Sequence, residues 1–361
     1  MSAERLLLGP GPSNASPRVR AAMAEPLLGH LDPAFLAILD RVQGRLRQAF
    51  RTVHPLTLPI SGTGSAGMEA CLVNLLEPGD AAVIGVNGAF GERMCAMVER
   101  IGARPVRVEA PWGETIPPER VVVALERHRP RLVGLVHAET STGVAQPVVE
   151  IAAAARALGV LSVVDCVTSL GGMEVKVDEW GIDAAYSGTQ KCLSCPPGLA
   201  PLTFAPAALE RLASRKTPVS SWYLDLSLIG RYFGTERVYH HTAPISMIFA
   251  LEAALGEVLE EGLEARFARH LAAHRALVAG LEALGFRFPV AVEHRLPMLN
   301  AVIPPFPDEK LARKELLDRF GIEVGGGLGP LAGRIWRIGL MGTNATLDVV
   351  DRLLAALRTL V

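Results

Sequence analysis

The sequence predicts an α/β protein in which a mostly parallel sheet, wrapped by helices, is followed by a smaller C-terminal α+β unit. Three observations carry this expectation. Apolar runs of strand length alternate with helix-period segments over about the first 215 residues, the rhythm of parallel strands joined by crossover helices. That rhythm changes after about residue 205, where the Trp/Tyr/Arg-rich stretch Ser220 to His241 lacks clean periodicity. Beyond about residue 262, long helices surround two isolated strand-like runs. A chain of 361 residues, half of them apolar, has ample length for two such units.

Taken in order, strands are expected at Leu56 to Ile60, Ala81 to Val86, Arg131 to Val136, Val160 to Val164 and Ala184 to Ser187. Met68, Cys71, Leu72, Leu75 and Leu76 lie on one face of a helix that stops at Glu77-Pro78-Gly79-Asp80. Residues 90 to 101, 117 to 127 and 148 to 157 read as further crossover helices. The C-terminal unit reads as helix 264 to 284, strand Leu299 to Ile303, helix 308 to 320 and strand Arg334 to Ile338. A closing helix capped at Thr346 would carry Leu347, Val350, Leu354, Leu357 and Val361 on one face. The resulting division is an N-terminal arm at 1–18, a large domain at 19–261 and a small domain at 262–361.

Composition narrows the partners. Lysine and arginine number 36 against 37 acidic residues, a net charge of -1, and no block of like charges suggests a nucleic-acid or membrane-surface binder. The longest uncharged stretch, Cys192 to Leu209, holds five Pro or Gly residues, which a membrane helix rarely tolerates together. Five cysteines in apolar surroundings read as reduced intracellular thiols. A cytoplasmic protein acting on small molecules is the expectation.

In open α/β sheets, ligands bind at the carboxyl ends of the strands, so the residues just after each expected strand are the first place to look for chemistry. Ser61-Gly62-Thr63-Gly64-Ser65 opens a helix, whose free N–H groups and positive end suit a phosphate. Asn87-Gly88-Ala89-Phe90, then His137-Ala138-Glu139-Thr140-Ser141-Thr142-Gly143, Asp165, and Gly188-Thr189-Gln190-Lys191 come after the next four. A strand-end Asp or Lys alone is more often surface charge. Asp165, however, ends a buried-type run, where an unpaired carboxylate is costly. Lys191 has no acidic residue after it before Glu210, and apolar surroundings lower an amine pKa, which suits Schiff-base chemistry. Lysine, carboxylate, aromatic and phosphate cup together are what pyridoxal phosphate requires.

The segments Leu6-Leu-Leu-Gly-Pro-Gly-Pro-Ser-Asn14, Asn87-Gly-Ala-Phe-Gly-Glu-Arg93, Asp165-Cys-Val-Thr-Ser-Leu-Gly-Gly172, Tyr186-Ser-Gly-Thr-Gln-Lys191, Tyr239-His-His-Thr242 and Arg337-Ile-Gly-Leu-Met-Gly342 resemble the class V aminotransferases, the alanine–glyoxylate and serine–pyruvate group most of all. The resemblance runs in family order from about residue 6 to the C-terminus. It implies a fold-type I enzyme dependent on pyridoxal 5'-phosphate, with Lys191 on the aldehyde and Asp165 on the pyridine nitrogen. Thr63, Gly64, Ser65 and Gln190 would hold the phosphate, Phe90 would stack on the ring where animal members often have Trp, and Thr140 would meet the ring edge. Tyr239 and Thr242 match a loop that reaches the phosphate of the neighbouring subunit, which implies a homodimer with shared sites. Arg337 matches the arginine that grips the substrate carboxylate, and Gly11, in the Gly9-Pro10-Gly11 turn, joins His30 and Tyr239 as a determinant of substrate choice. The expected reaction is transamination of alanine or serine with glyoxylate or pyruvate.

On its strand, Arg337 shares a face with Ile335 and Gly339, leaving room for a planar carboxylate that its fork would grip. Other signals have blander readings. Cys192-Leu-Ser-Cys195 lacks a second CxxC, so the thiols are expected to pack beside Lys191 rather than bind zinc. His270 and His274, between Arg269 and Arg275, read as a solvated helix face. Gly325-Gly-Gly-Leu-Gly329 reads as a flexible turn. Ureidoglycine–glyoxylate transamination, cysteine desulfuration and a non-enzymatic phosphate-binding protein are the rival readings.

Overall fold

The computed structural model describes residues 5–360. The chain begins with strand β1 (Leu6–Leu8) and helices α1 (Pro17–Met23) and α2 (Pro33–Phe50). Ser16 and Asp32 cap the two helices through their side chains, each followed by a proline in the first turn. Then come β2 (Leu56–Ser61), α3 (Gly64–Leu75), β3 (Ala81–Val86), α4 (Ala89–Arg100), β4 (Arg104–Glu109) and β5 (Leu132–Val136). A short hairpin, β6 (Ala138–Glu139) and β7 (Val144–Ala145), precedes β8 (Leu161–Asp165), β9 (Ala184–Tyr186) and β10 (Leu199–Phe204).

Seven of these strands form one sheet in the order β2-β10-β9-β8-β5-β3-β4. The run from β9 to β4 is parallel. β10 is antiparallel to both neighbours, so two reversals leave β2 pointing the same way as β9. The carboxyl ends of β2, β3, β5, β8 and β9 therefore share one rim. The sequence pattern identifies those five strands and misses β4 and β10, for different reasons. β4 is an edge strand carrying Arg104 and Arg107, the charged device that blunts an edge and hides its apolar periodicity. β10 carries Pro201, which faces Pro59 across the ladder, and proline reads as a loop signal.

The second sheet has four strands, β1, β12 (Ile322–Gly326), β13 (Trp336–Gly339) and β11 (Leu299–Val302), in that order. β1 pairs in parallel with β12, so the start of the segment expected to be an arm completes the C-terminal sheet. Each sheet has its own apolar core, the second built from Leu8, Leu277, Leu316, Trp336, Ile338, Leu354 and others. Trp336, fully buried, donates its indole N–H to Glu309 at 3.0 Å.

Three expectations require correction. His270 and His274 are buried: His270 donates from Nδ1 to the Arg266 carbonyl at 2.8 Å and accepts the Gly342 N–H at Nε2. Because helix Leu263–Ala283 passes between the two units, its second face meets protein where a solvated face was expected. Gly325 and Gly326 are strand residues, needed because a Cβ on Gly325 would lie 2.5 Å from Pro10. On the closing helix Leu347 is exposed because it precedes the buried face, while Val361 lies outside the described residues. Among the described residues no helix is long and apolar enough to cross a membrane.

Candidate active site

The rim of the large sheet opens on a cavity of about 270 Å³ lined by Thr63, Gly64, Ser65, Phe90, Thr140, Asp165, Gln190 and Lys191 among others. Its floor is set by the β2–α3 turn. Gly62 takes a positive φ of 127°, a conformation that suits glycine, and turns the chain so that Thr63 becomes the N-cap of α3. No side chain caps that helix from the N-cap position, which leaves first-turn N–H groups for an anion. A Cβ on Gly64 would lie 2.6 Å from Val167, so only glycine brings this helix end against the segment after Asp165. Ser65 Oγ accepts from Arg93 at 2.8 Å, and the Arg93 guanidinium lies over the Phe90 ring, 4.8 Å from its centroid. The buried Gln190 side-chain oxygen has no hydrogen-bond partner among the described residues.

Asp165 and Lys191 occupy the inner wall. Asp165, at the end of β8, is 3% exposed and accepts hydrogen bonds from the Val167 N–H and the Tyr186 hydroxyl, both at 2.8 Å. Burial pushes its carboxyl up to about 6, against the pull of those two donors. The Lys191 amine donates to the Pro10 carbonyl. Burial lowers it to about 8, with Arg337 and Arg93 acting in the same direction and Cys192 and Asp165 opposing. Gly11 has a positive φ, and a Cβ there would lie 2.5 Å from the Lys191 Nζ; the Gly9-Pro10-Gly11 turn is thus packed directly on the amine. Cys192 and Cys195 are buried and unpaired near the lysine, and the Cys192 thiol points to the Thr168 carbonyl at 3.2 Å.

Phe90 and Thr140 sit on opposite segments joined by a residue that sequence reasoning passes over. Glu139, completely buried, accepts from the Phe90 N–H at 3.1 Å and from both the N–H and the hydroxyl of Ser141. Arg93 and Glu139 both stand in strand-end segments that the sequence singles out, but neither burial nor the approach of α4 to the β6–β7 hairpin can be read from spacing.

Arg337 lies on β13 just beyond the cavity. It is 7% exposed and donates from Nε to the Gly326 carbonyl at 2.7 Å and from Nη1 to the Thr140 carbonyl at 3.4 Å. No carboxylate among the described residues pairs with it, so its charge is free for an anion from outside. The expected open space beside Gly339 is filled: a Cβ there would lie 2.1 Å from the Gly9 carbonyl. Tyr239 and Thr242 do not line this cavity. They meet each other at 3.2 Å on the surface, with Tyr239 about half exposed and its ring against His30.

The comparisons with known proteins agree with one another. Residues 28–336 match the family model for class-V aminotransferases. Over 98% of this chain and 91% of its own length, an alanine–glyoxylate aminotransferase of Drosophila melanogaster is 41% identical. An (S)-ureidoglycine–glyoxylate transaminase of Bacillus subtilis is 40% identical over 98% of this chain and 89% of its own. The crystal structure of an alanine–glyoxylate aminotransferase from Nostoc sp. superposes with a TM-score of 0.98 at 49% identity, covering 99% of this chain and 96% of that one. With its sheet order, its strand-end lysine and aspartate, and a family match that spans most of its length, this chain belongs to the class-V aminotransferases, enzymes of the pyridoxal-phosphate fold-type I architecture.

Proposed function

We propose that the cavity binds pyridoxal 5'-phosphate and that the protein transfers the amino group of alanine or serine to glyoxylate or pyruvate. The observation that carries the reading is the placement of a buried carboxylate and a partly neutral amine in one cavity with an uncapped helix N-terminus. The residues fit the cofactor. First-turn N–H groups of α3, the Thr63 and Ser65 hydroxyls and the Gln190 side-chain NH2 are donors that suit a phosphate, and Arg93 adds positive charge at the same end.

When bound, pyridoxal phosphate supplies an aldehyde for the amine and a ring that accepts electrons from the substrate α-carbon. Lys191 would hold the aldehyde carbon and, once freed by the substrate amine, its Nζ would serve as the base for the proton on the substrate Cα; a pKa of about 8 suits both uptake and release of that proton near neutral pH. Asp165 would pair with the pyridine nitrogen and hold a proton there. Phe90 would cover one face of the ring and Thr140 its edge. Arg337 would grip the substrate carboxylate with two parallel N–H bonds, and the turn at Gly11 would limit the side chain; His30 and Tyr239, outside this subunit's cavity, would join it only across the proposed dimer.

The proposal extends to a cytoplasmic homodimer, in which Tyr239 and Thr242 of one subunit reach the phosphate of the other. Their exposure, alongside Trp222 and Tyr223, supports this. Residues 19–261 then form the cofactor domain, and 262–361 the domain that carries Arg337. Cysteine desulfuration is disfavoured because all five cysteines are buried and none is placed as a mobile nucleophile. Ureidoglycine remains a second donor, on the strength of the 40% identical relative. A panel of alanine, serine, aspartate and ureidoglycine against glyoxylate and pyruvate tests the reading: alanine or serine turning over fastest is expected, and a strong preference for aspartate or ureidoglycine overturns the donor assignment.

A further inference from the structure

Helix α4 begins at Gly88 and Ala89, and no side chain caps it from the N-cap position. Its free donors are satisfied from another part of the chain. The Ala89 N–H donates to Ser141 Oγ at 2.9 Å and the Phe90 N–H to Glu139 Oε2 at 3.1 Å, while Ser141 donates its own N–H and hydroxyl to Glu139 Oε1. Gly88 is required for this approach: its backbone is extended, but a Cβ would lie 2.3 Å from Glu139 Cγ and Cδ. The segment that carries Glu139 is itself fixed, since the Gly143 N–H closes a turn on the Glu139 carbonyl at 2.8 Å. The next residue, Thr140, offers its carbonyl to Arg337.

A carboxylate with no solvent exposure and no ion pair is costly, and burial raises this one to about 7. A helix N-terminus can be capped by a single serine, so a buried carboxylate is more than capping alone demands. What the carboxylate adds is two acceptor atoms held in one plane, one facing α4 and the other the Thr140–Ser141 segment. The two segments it joins carry the ring-covering Phe90 and the carbonyl that orients Arg337.

We propose that Glu139 is a positioning residue, a strut that sets the Phe90 ring and the Arg337 guanidinium in mutual register, so that cofactor stacking and carboxylate binding are tuned together. The inference rests on the proposed function above. Glu139→Gln keeps the shape but leaves only one acceptor atom, so either the Phe90 N–H or the Ser141 donors lose their partner. Ser141→Ala removes the relay to Ala89 while keeping the carboxylate, and should fold if Glu139→Gln does not.

Both variants and the wild type are titrated with pyridoxal phosphate, read by visible circular dichroism of the bound cofactor, and then assayed over a range of amino donor. For Glu139→Gln, the Kd for the cofactor and the KM for the donor should both rise about tenfold, with kcat within about threefold and a weakened dichroic band. Ser141→Ala should show the same changes, smaller. Variants with a lowered melting temperature but unchanged Kd, KM and dichroism make the role structural only and overturn the strut, as does failure of both to fold. A wild type that takes up no pyridoxal phosphate at all overturns the proposed function, and the strut with it. A loaded wild type beside unaffected variants overturns the strut alone.

Discussion

Lys191 should capture pyridoxal phosphate as if its amine titrated well below an ordinary lysine. The perturbation is pH. Burial is the largest influence on the amine and lowers it to about 8, because a charged ammonium loses its hydration there. Only the neutral amine attacks an aldehyde. At pH 7, a pKa of about 8 leaves roughly one amine in ten neutral, against roughly one in 2,500 for an unperturbed lysine near 10.4. Capture at neutral pH should thus be roughly 200-fold faster than an exposed lysine allows. Since the shift is downward, the rate should climb about tenfold per pH unit below 8 and flatten above it. Stopped-flow mixing of cofactor-free protein with pyridoxal phosphate, followed by absorbance from pH 6 to 11, reads the profile. Arg337→Gln removes a charge that pushes the amine the same way as burial, and should move the plateau to higher pH. A wild-type rate that keeps climbing beyond pH 10 would refute the claim that burial tunes this lysine.

Two further perturbations separate the roles of the other charged groups. Asp165→Asn keeps the hydrogen-bonding shape but not the charge that, on the proposed function, would hold a proton on the ring nitrogen; cofactor should still bind, and turnover should fall at least about a hundredfold, measured as kcat with saturating donor. Arg337→Lys should raise the KM for the amino acid about tenfold or more while leaving cofactor affinity within about twofold, because an ammonium cannot make two parallel N–H bonds; steady-state kinetics beside a cofactor titration checks it.

The parts of the site legible in the sequence are those that stand at strand ends. Asp165 ends an apolar run, Lys191 follows one across the short Gly188-Thr-Gln segment, and the Gly62–Gly64 turn precedes a clear helical face; local pattern locates all three. Arg337 falls on the expected strand, but the space around it differs from expectation, since Gly9 arrives from the other end of the chain. β1 is unreadable for the same reason: three leucines become a strand only because β12 offers an open edge. Glu139 illustrates what spacing alone omits. A carboxylate shortly after a buried strand and flanked by hydroxyls is a signal, but its partner Phe90 is brought to it by α4. The histidines on helix Leu263–Ala283 mislead because Arg266 and Arg269 beside them are held by Glu261 and by carbonyls such as those of Gly171, Cys192 and Gly342, so charge there marks an internal contact, while Arg275 alone of the three arginines is exposed.

The central claim is that one amine, Lys191, holds the cofactor on which the chemistry depends. Reduction of the pyridoxal-phosphate-loaded protein with borohydride, followed by proteolysis and mass spectrometry, tests it most directly. A single phosphopyridoxyl group is expected on the peptide containing Lys191, and none in Lys191→Ala; a stable label on another lysine, or no label on a protein that turns over substrate, would contradict the assignment.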